Sequence, residues 1–435
     1  MPSSKIGPNP LVSVITPTND PSHLAEIFQC LAAQTHAHWE WVILPNGGAR
    51  VPEFRDPRVR VVEGPAGTPG RGAHVGALKL ACAKAARGEV FVELDHDDLL
   101  SADALAKVAV AASNGADFIY SDFAEFNEAD MSPHVYGPEF GWRYRDVRGP
   151  GNWTYKAASA PPAEPPWILY ITHAPNHVRA WTRACYFDVG GHDASLEVGD
   201  DYDLLIRTYA AGKKFHHIPE CLYFYRMRAD RKNTHVERNA RIQEIVWQRY
   251  DQFCYAAMLR WCRDKGLLAL DLGAAHSKPN DQYVGVDVIQ AKGVDKIADL
   301  DKEWPFETGS VGLIRAWDAI EHYRNPVHTF NEAYRVLAPR GMFMIEVPST
   351  DGRGAWQDPT HYSFFNQNSF WYYTRDEHKR YVAAIRAAFM PVRLITYFPS
   401  DFHRQNNIPY VRAHLVALKQ GISHPMPMPH MRIPD

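Results

Sequence analysis

The chain has 435 residues, enough for two or three domains, and 46% of them are hydrophobic against 22% that are charged. A formal net charge of -3 provides no global positive field for nucleic acid, and the six cysteines form neither CxxC pairs nor secreted-type clusters. These features exclude disorder as the default and predict a folded protein of two domains with free thiols, no disulfides and no zinc.

The start of the chain, MPSSKIGPNPLVSV, lacks the charged and apolar regions of a signal peptide. Nowhere in the sequence is there an uncharged apolar run of about 18 residues, which a transmembrane helix needs. We therefore expect a cytoplasmic protein, at most peripheral to a membrane, without strong nucleic-acid binding.

The first half of the chain alternates short apolar runs with amphipathic stretches. This alternation predicts strands at 11–17, 40–45, 58–64, 89–95 and 116–122, and helices at 23–34, at 74–87 and from Ser101. Such a βαβα series predicts a mostly parallel sheet. Residues 130–170 break the pattern, and their Gly, Pro and aromatic residues predict a long loop or flap.

A predicted helix at 236–264 precedes a second series of the same kind. Its strands are expected at 266–273, 282–288, 311–318, 341–348, 392–398 and 410–419. We therefore predict an α/β chain with one domain at 1–235, a helical connector at 236–264, a second domain at 265–420 and a tail at 421–435.

The segment VELDHDDLL (92–100) places Asp95, Asp97 and Asp98 directly after an apolar strand. Ligands of open α/β sheets bind beyond the carboxyl ends of the strands, and two nearby carboxylates suit a hard divalent cation that also binds phosphates. The alternative is that Asp98 or Ser101 caps the next helix while the other acids are merely solvated. A D-x-D pattern alone does not decide between the two.

Further segments give the D-x-D pattern a context. VSVITPTND, EWVILPNGG, GEVFVELDHDDLL, DVGGHDASLEVGDDYDLLIRTYAAG and IPECLYFYR follow one another over residues 11 to about 235. In content, order and spacing this series resembles the family 2 glycosyltransferases with the GT-A fold. The resemblance implies inverting, metal-dependent sugar transfer from a nucleotide-diphospho-sugar donor.

The resemblance also implies roles for the acidic residues. Asp95 and Asp97 would contact the ribose and the diphosphate-bound Mn²⁺ or Mg²⁺, with Asp97 as the direct metal ligand. In GDDYDL, Asp201 would be the base that deprotonates the acceptor hydroxyl, and Asp200 would help to orient the acceptor. Arg226 would neutralise charge on the departing diphosphate.

Other donor contacts are expected in the loops after the first two strands. By resemblance, Pro17, Thr18 and Asp20 lie in the loop that cradles the nucleotide. Asn46 stands where the family usually has an acid, so its contacts with the base and ribose are expected to differ. A histidine usual in the family is replaced by Arg228, which leaves His235 either as a third metal ligand or as an ordinary polar residue.

The second α/β series contains LLALDLGAAHSKPNDQYVGVDV, a strand, a small-residue turn and a strand that ends at Asp287. A turn of this kind lets the backbone approach a nucleotide, and an acid at the second strand tip can hold ribose hydroxyls. Together with residues 294–349 and DPTHYSFFNQNSFWYY, it resembles class I S-adenosylmethionine-dependent methyltransferases with a Rossmann-like seven-stranded sheet, over about 264–420. The resemblance implies that Asp271, Gly273 and Ala275 frame the methionine end and that Asp287 binds ribose.

The same resemblance places Asp299 and Leu300 beside the adenine and Asp318 at the start of the fourth-strand loop. Glu321 and His322 match the "EH" of that loop, which more often orders the loop than performs chemistry. Where the family has further glycines this chain has alanines, and alanine does not adopt positive φ freely. A degenerate domain that serves as an interaction platform is therefore the alternative to an active methyltransferase.

The tetrapeptide DPTH (358–361) follows the fifth predicted strand. Methylation of a hydroxyl needs a base, and His361 is chemically suited to that role. Equally, Asp358 and His361 could pin a proline turn. His173, Asn176 and His177 are expected near the acceptor of sugar transfer, in catalytic or neutral hydrogen-bonding roles.

The two resemblances together predict a bifunctional enzyme. It would transfer a sugar to a glycan or glycolipid acceptor and O-methylate a sugar in surface polysaccharide or glycoconjugate synthesis. One alternative is a glycosyltransferase alone, with the second domain as a binding or assembly module. Another is that the acceptor is a nucleic-acid base or a protein, although the near-neutral charge counts mildly against DNA.

Overall fold

A computed structural model of the chain describes residues 6–64, 74–138, 141–165, 167–170, 176–228 and 238–421. The chain divides into two compact units, and the division falls between Cys254 and Tyr255, inside a long helix. His173, His235 and the predicted tail beyond residue 421 lie outside the described residues. No helix in the described ranges is long and apolar enough to cross a membrane.

The N-terminal unit is built around one mixed sheet. Its strands are β1 (Val12–Thr18), β2 (Trp39–Pro45), β3 (Val59–Val61), β4 (Val90–Glu93), β5 (Leu99–Leu100), β6 (Phe118–Asn127), β7 (Pro133–His134), β8 (Tyr144–Arg148), β9 (Thr154–Ala158), β10 (Arg179–Thr182) and β11 (Phe215–Met227). Its helices are α1 (Leu24–Ala32), α2 (Val75–Ala85), α3 (Ala104–Ser113), α4 (Trp167–Tyr170), α5 (Arg183–Asp188) and α6 (Asp200–Ala210), followed by α7 (Asn239–Lys265), which runs into the second unit.

The strand order of this sheet is β3-β2-β1-β4-β10-β6-β11-β5. The first four strands are parallel, as the βαβα pattern predicts, and helices α1 and α2 lie in the connections from β1 to β2 and from β3 to β4. Strand β10 is antiparallel to both of its neighbours and makes the sheet mixed. Parallel strands β1 and β4 bring the loops after Thr18 and Glu93 to the same edge.

The prediction of one long loop at 130–170 is wrong in part. Strands β8 and β9 form an antiparallel hairpin, and β9 pairs with the extended β6. The turn between them contains Gly151 at φ 67°, a conformation that glycine adopts at little cost. Because these strands are short and partly exposed, their apolar pattern is too weak to be recognised in the sequence.

The C-terminal unit contains a seven-stranded sheet with the order β14-β13-β12-β15-β16-β18-β17. Its strands are β12 (Leu268–Leu272), β13 (Val284–Asp287), β14 (Lys296–Ile297), β15 (Val311–Trp317), β16 (Leu337–Pro348), β17 (Phe389–Tyr397) and β18 (Tyr410–Ala417). After α7, its helices are α8 (Pro326–Val336), α9 (Gly354–Gln357), α10 (Trp371–Thr374), α11 (Asp376–Lys379) and α12 (Asp401–Gln405).

Strands β12 to β16 of this sheet are parallel, and β18 is antiparallel to both β16 and β17. A continuous apolar core fills the unit, with Phe330 of α8 stacked on Tyr373 at a ring-centroid distance of 3.8 Å. All six predicted strands are present, and only the two-residue β14 was not expected. The predicted α/β fold class, with two sheets and seven strands in the second, is confirmed.

Candidate functional site

The segment that follows β4 forms an acidic edge in the N-terminal unit. Asp98 is completely buried and accepts hydrogen bonds from the Tyr223 hydroxyl (2.7 Å) and the Arg226 backbone N–H (2.7 Å). The Asp95 backbone N–H donates to the same tyrosine oxygen at 3.2 Å. Asp98 therefore anchors the loop to β11, and it does not cap the next helix, whose first residue follows Asp103.

Two arginines near this edge differ from the expectation. The predicted phosphate contact Arg226 is 7% exposed, and its guanidinium donates to the Asp97 carbonyl (2.6 Å) and to Glu26 (2.7 Å). Arg228 instead lies between Asp20, at 3.0 Å, and the Asp97 carboxylate, at 3.6 Å. The assignment of Arg226 to the diphosphate is therefore corrected: its donors hold the loop, and Arg228 provides the positive charge at the carboxylates.

The carboxylates at this edge are suited to a cation. Burial raises the pKa of Asp95, the charges of Asp97 and Glu93 raise it further, and Lys79 acts in the opposite direction. Carboxylates that destabilise one another's charge are stabilised by a divalent ion, and Mn²⁺ or Mg²⁺ often takes only one or two protein carboxylates. Asp95 and Asp97 therefore fit the predicted ion, while the candidate ligand His235 cannot be placed.

The loops after β1 and β2 meet beside this edge. The Asn46 backbone N–H donates to the Thr18 carbonyl at 2.8 Å, next to the register pair of Thr18 and Pro45. The Thr18 hydroxyl donates to the Asp20 carbonyl at 2.8 Å, and Pro17 precedes this turn at the end of β1. The structure thus brings the predicted nucleotide-binding residues together.

Helix α6 begins with the predicted catalytic acids, after Gly199 at φ 69°. Asp201 is paired with Arg179 of β10, whose nitrogen lies 2.6 Å from the carboxylate. Burial favours the neutral acid, but the charges of Arg179 and Lys79 prevail and hold the pKa of Asp201 below its usual value. Asp201 is therefore an ionised carboxylate and can accept a proton, although Arg179 weakens it as a base.

Asp200 belongs to a buried charge network. Lys79 lies 3.1 Å from Glu93 and 3.4 Å from Asp200, and His192 lies 2.8 Å and 3.5 Å from the same two carboxylates. All four side chains are at most 8% exposed. The predicted contact of Asp200 with an acceptor is not favoured, because its carboxylate faces the buried side chains of Lys79 and His192.

The acidic edge and Asp201 influence one another electrostatically. Burial lowers the pKa of both Arg179 and Lys79, whereas the negative charges of Asp95 and Asp201 raise it. His177 lies nearby, stacked on Tyr223 at 4.3 Å, and burial together with the charge of Arg179 holds its pKa well below the usual value. His177, Arg179 and Lys79 thus lie within electrostatic range of the same two carboxylates, Glu93 and Asp201.

In the C-terminal unit, the small-residue turn after β12 lies against the tip of β13. Gly273 has φ 69°, and Ala275 has φ 38°, which is strained for a residue with a Cβ. The Ala275 backbone N–H donates to the Asp287 carboxylate at 3.1 Å. The replacement of glycine by alanine is therefore accommodated by a turn that Asp287 holds.

The remaining predicted cofactor residues have different environments. Asp271 is buried and paired with Arg315, and burial raises its pKa. Asp299 is paired with Lys302 at 3.0 Å, whereas Leu300 is 4% exposed and belongs to the apolar core. Asp318 is exposed at φ 48° after β15. The position of Leu300 leaves its side chain no free face toward solvent.

His361 lies in a group that sequence reasoning did not assemble. Glu321, His322 and His361 each offer a ligand atom, and the three atoms lie within 4.8 Å of one another. The residues Glu321 and His322 were recognised only as a loop motif, and the third member follows 39 positions after the second in the printed sequence. Arg179 and Arg228 were likewise not predicted as site residues, because their partners are distant in sequence.

Comparison with known proteins finds a family match within the C-terminal unit and similar proteins that cover parts of the chain. Residues 256–385 match the family model described as "Methyltransferase domain". A curated relative from Sinorhizobium fredii, "Uncharacterized protein y4gI", is 29% identical over 231 residues, which cover 50% of this chain and 22% of that protein. The chain thus spans about a fifth of that relative's length.

Solved structures that are similar to part of this chain include the following two. Staphylococcus aureus TarS 1–349 in complex with UDP-GlcNAc is 16% identical at a TM-score of 0.39, over 58% of this chain and 72% of that one. Mannosyltransferase PcManGT from Pyrobaculum calidifontis, in complex with GDP-Man and Mn²⁺, is 17% identical at a TM-score of 0.36, over 55% and 62%.

The family match falls on the seven-stranded unit. It includes the turn held by Asp287, the exposed Asp318 and the group that contains His361. The C-terminal unit of this chain therefore contains a methyltransferase domain, at residues 256–385.

Proposed function

We propose that the protein is a bifunctional transferase, in which the N-terminal unit transfers a sugar from a nucleotide-diphospho-sugar and the C-terminal unit methylates a sugar hydroxyl. One observation carries the first half: the paired acids Asp95 and Asp97, with Arg228 beside them, share a sheet edge with the ionised Asp201. Residues that hold the diphosphate would by themselves account only for binding of the donor. A carboxylate that can accept a proton completes the requirements for transfer.

In the proposed reaction, Asp201 accepts the proton of an acceptor hydroxyl as that oxygen attacks the anomeric carbon. The bond to the diphosphate breaks on the opposite face, so the configuration inverts. Arg228 opposes the negative charge that develops on the leaving diphosphate. Asp97 and Asp95 would hold Mn²⁺ or Mg²⁺, whose charge would stabilise the same group.

For the second activity, S-adenosylmethionine would supply the methyl group. The turn of Gly273 and Ala275 is proposed to approach this cofactor, and Asp287 is proposed to bind its ribose. Four further residues, which differ in burial and in ion pairing, remain proposed contacts: Asp271, Asp299, Leu300 and Asp318. His361 is the proposed proton acceptor. Its Nδ1 lies 2.9 Å from the Ala355 carbonyl, which can only accept, so Nε2 carries the free lone pair.

A second candidate is a glycosyltransferase whose C-terminal unit only binds a ligand or a partner. Two features favour it: Ala275 is strained, and the Asp271 carboxylate is already engaged by Arg315. In this case S-adenosylhomocysteine would bind weakly or not at all. A glycan or glycolipid remains the proposed acceptor in both candidates.

Thermal unfolding and calorimetric titration test both halves on the full chain. We expect UDP- or GDP-sugars with Mn²⁺ to stabilise the protein, and Asp97→Ala to abolish the metal-dependent part of that shift. Asp146→Ala, at an exposed acid in the same unit, is the matched control. A shift that persists undiminished in Asp97→Ala contradicts the metal assignment.

S-adenosylhomocysteine separates the two candidates. Under the bifunctional proposal it binds the wild type, and Asp287→Ala weakens binding while Asp401→Ala, exposed at the start of α12, does not. Absence of binding to the wild type supports the second candidate. Transfer of the methyl group to a glycosylated acceptor, followed by mass spectrometry, then identifies the product.

A further inference from the structure

Three potential metal ligands converge at one edge of the C-terminal sheet. Glu321 and His322 lie in the helical turn Ile320–His322 just after β15, and His361 lies in the segment after the neighbouring strand β16. The backbone N–H groups of Tyr362 and Ser363 both donate to the Glu321 carbonyl, at 2.8 and 2.9 Å. These bonds join the two segments and fix the separation of their side chains.

Both imidazole rings are oriented by backbone carbonyls. His361 Nδ1 lies 2.9 Å from the Ala355 carbonyl oxygen, and His322 Nδ1 lies 3.2 Å from that of Thr360. A carbonyl cannot donate, and the Thr360 hydroxyl, 3.1 Å from His322 Nδ1, donates to Asp358 instead, so each Nδ1 carries the hydrogen and each Nε2 keeps its lone pair. Histidine ligands of metals are typically held in this way, with the other ring nitrogen bonded to a carbonyl or carboxylate.

Glu321 lacks the partners that a buried carboxylate needs. It is 2% exposed, and within the described residues neither side-chain oxygen accepts a hydrogen bond or forms an ion pair. A buried acid without a partner is costly, and a bound cation would remove that cost.

We infer that Glu321, His322 and His361 bind a divalent first-row transition metal ion, such as Zn²⁺. Two imidazoles and one carboxylate are a donor set that such ions accept, and three protein ligands leave a position open for water or substrate. The absence of cysteine pairs predicted no zinc, but this donor set needs no cysteine. The site is separate from the Asp95 and Asp97 pair in the other unit.

A role in methylation rests on the proposed function. In the same segment as His361, Trp356 and Phe364 stack at 4.6 Å while 60% and 43% exposed, an uncovered aromatic surface of the kind that marks binding sites. A saccharide on this surface would present a hydroxyl to the open position, where the ion lowers the hydroxyl pKa. The proton then passes to water, the S–CH₃ bond breaks and the O–CH₃ bond forms, and His361 acts as a ligand instead of as the base.

Co²⁺ titration tests the site without requiring activity. We would use the full chain with Asp97→Ala, which removes the other proposed ion, after dialysis against a chelator. Visible absorption reports Co²⁺ held by imidazole, and calorimetry gives the stoichiometry. We expect one ion per chain, with affinity lowered more than about 100-fold by His322→Ala and by His361→Ala.

Two further variants separate ligation from misfolding. Glu321→Gln keeps the side-chain shape and should also weaken Co²⁺ binding, whereas His403→Ala, at a half-buried histidine of the same unit outside the cluster, should leave it unchanged. Unchanged Co²⁺ absorption in both cluster histidine variants overturns the inference. S-adenosylhomocysteine binding without Co²⁺ binding rejects the metal site alone, and the reverse result rejects the methyltransferase proposal alone.

Discussion

Buried carboxylates have opposite environments in the two units. In the N-terminal unit, Glu93 and Asp200 lie within 3.5 Å of Lys79 and His192. In the C-terminal unit, Glu321 is equally buried but has no ion-pair partner among the described residues. In the first arrangement Lys79 provides the opposite charge within the fold, whereas in the second only a proton or a ligand would provide it.

This difference in neighbouring charges gives a criterion for assigning a role to an acidic residue near the end of a strand. Burial raises the pKa of Glu321, while Lys79 and His192 overcome the same effect at Glu93 and hold its pKa well below the usual value. Position at the carboxyl end of a strand is common to both residues. The neighbouring cations, and not the position, distinguish structural acids from acids available to a ligand.

The largest expected effect comes from Lys79→Met, which keeps the volume of the stem but removes the charge from the network. Leaving Glu93 and Asp200 incompletely paired should lower the free energy of unfolding by about 3 to 5 kcal/mol. Urea denaturation of the full chain measures this loss. Lys156→Met, in an exposed pair with Asp146, should cost less than about 1 kcal/mol, and equal costs would break the comparison.

Arg228→Ala should weaken binding of UDP or GDP by about tenfold, because a guanidinium lost from a charged contact removes on the order of 1.5 kcal/mol. Titration calorimetry at fixed salt and Mn²⁺ measures the change. Arg228→Lys should be intermediate, since lysine lacks the planar fork. The exposed Arg148→Ala should have no effect, and an equal effect of Arg148→Ala would contradict the assignment.

The pH dependence of sugar transfer should report the pair of Asp201 and Arg179. A base acts above its pKa, and the pKa of Asp201 is lowered in the fold, so kcat/KM should stay level as the pH falls through 5. Arg179→Gln removes the stabilising charge and should move the acid limb to higher pH. Arg179→Lys should retain most of the wild-type profile, and an unmoved limb in Arg179→Gln would exclude Asp201 as the titrating base.

Glu321→Gln should change stability only as the pH rises above 4.5, and the sign of the change should be opposite to that of Lys79→Met. In metal-free protein the pKa of Glu321 is raised from 4.5 to about 8, so the wild type loses stability as the pH rises through that interval. The variant should therefore become relatively more stable, by at most about 5 kcal/mol. Thermal unfolding of both proteins, followed at the transition that S-adenosylhomocysteine shifts, measures the difference in stability between variant and wild type. This difference should be near zero below pH 4.5.

Local pattern was sufficient for most of the fold. The apolar runs at 11–17 and 341–348 became β1 and β16, and the predicted helix at 236–264 corresponds to Asn239–Lys265, because strand and helix periodicity are properties of adjacent residues. The hairpin of β8 and β9 was missed, since β9 is stabilised by pairing with β6 and β8 by pairing with β9, and not by their own pattern.

The candidate site was predictable to a smaller extent. The sequence places Asp95 and Asp97 after a strand and Asp201 at a helix start, since these positions follow from local structure. It did not distinguish Arg226 from Arg228, since residues two apart in an extended chain point to the same side. Arg226 lies within β11 and donates to Glu26 and the Asp97 carbonyl, whereas Arg228 lies just beyond the end of the strand, beside Asp20.

By itself, the sequence determined the two α/β series, the acidic strand ends and the small-residue turn before Asp287. Only the tertiary structure decided which charges are paired, because Arg228 meets Asp20 across 208 positions and His322 meets His361 through a separate segment. The physical reason is that hydrophobic periodicity acts over a few residues, whereas the electrostatic environment depends on which strands become neighbours.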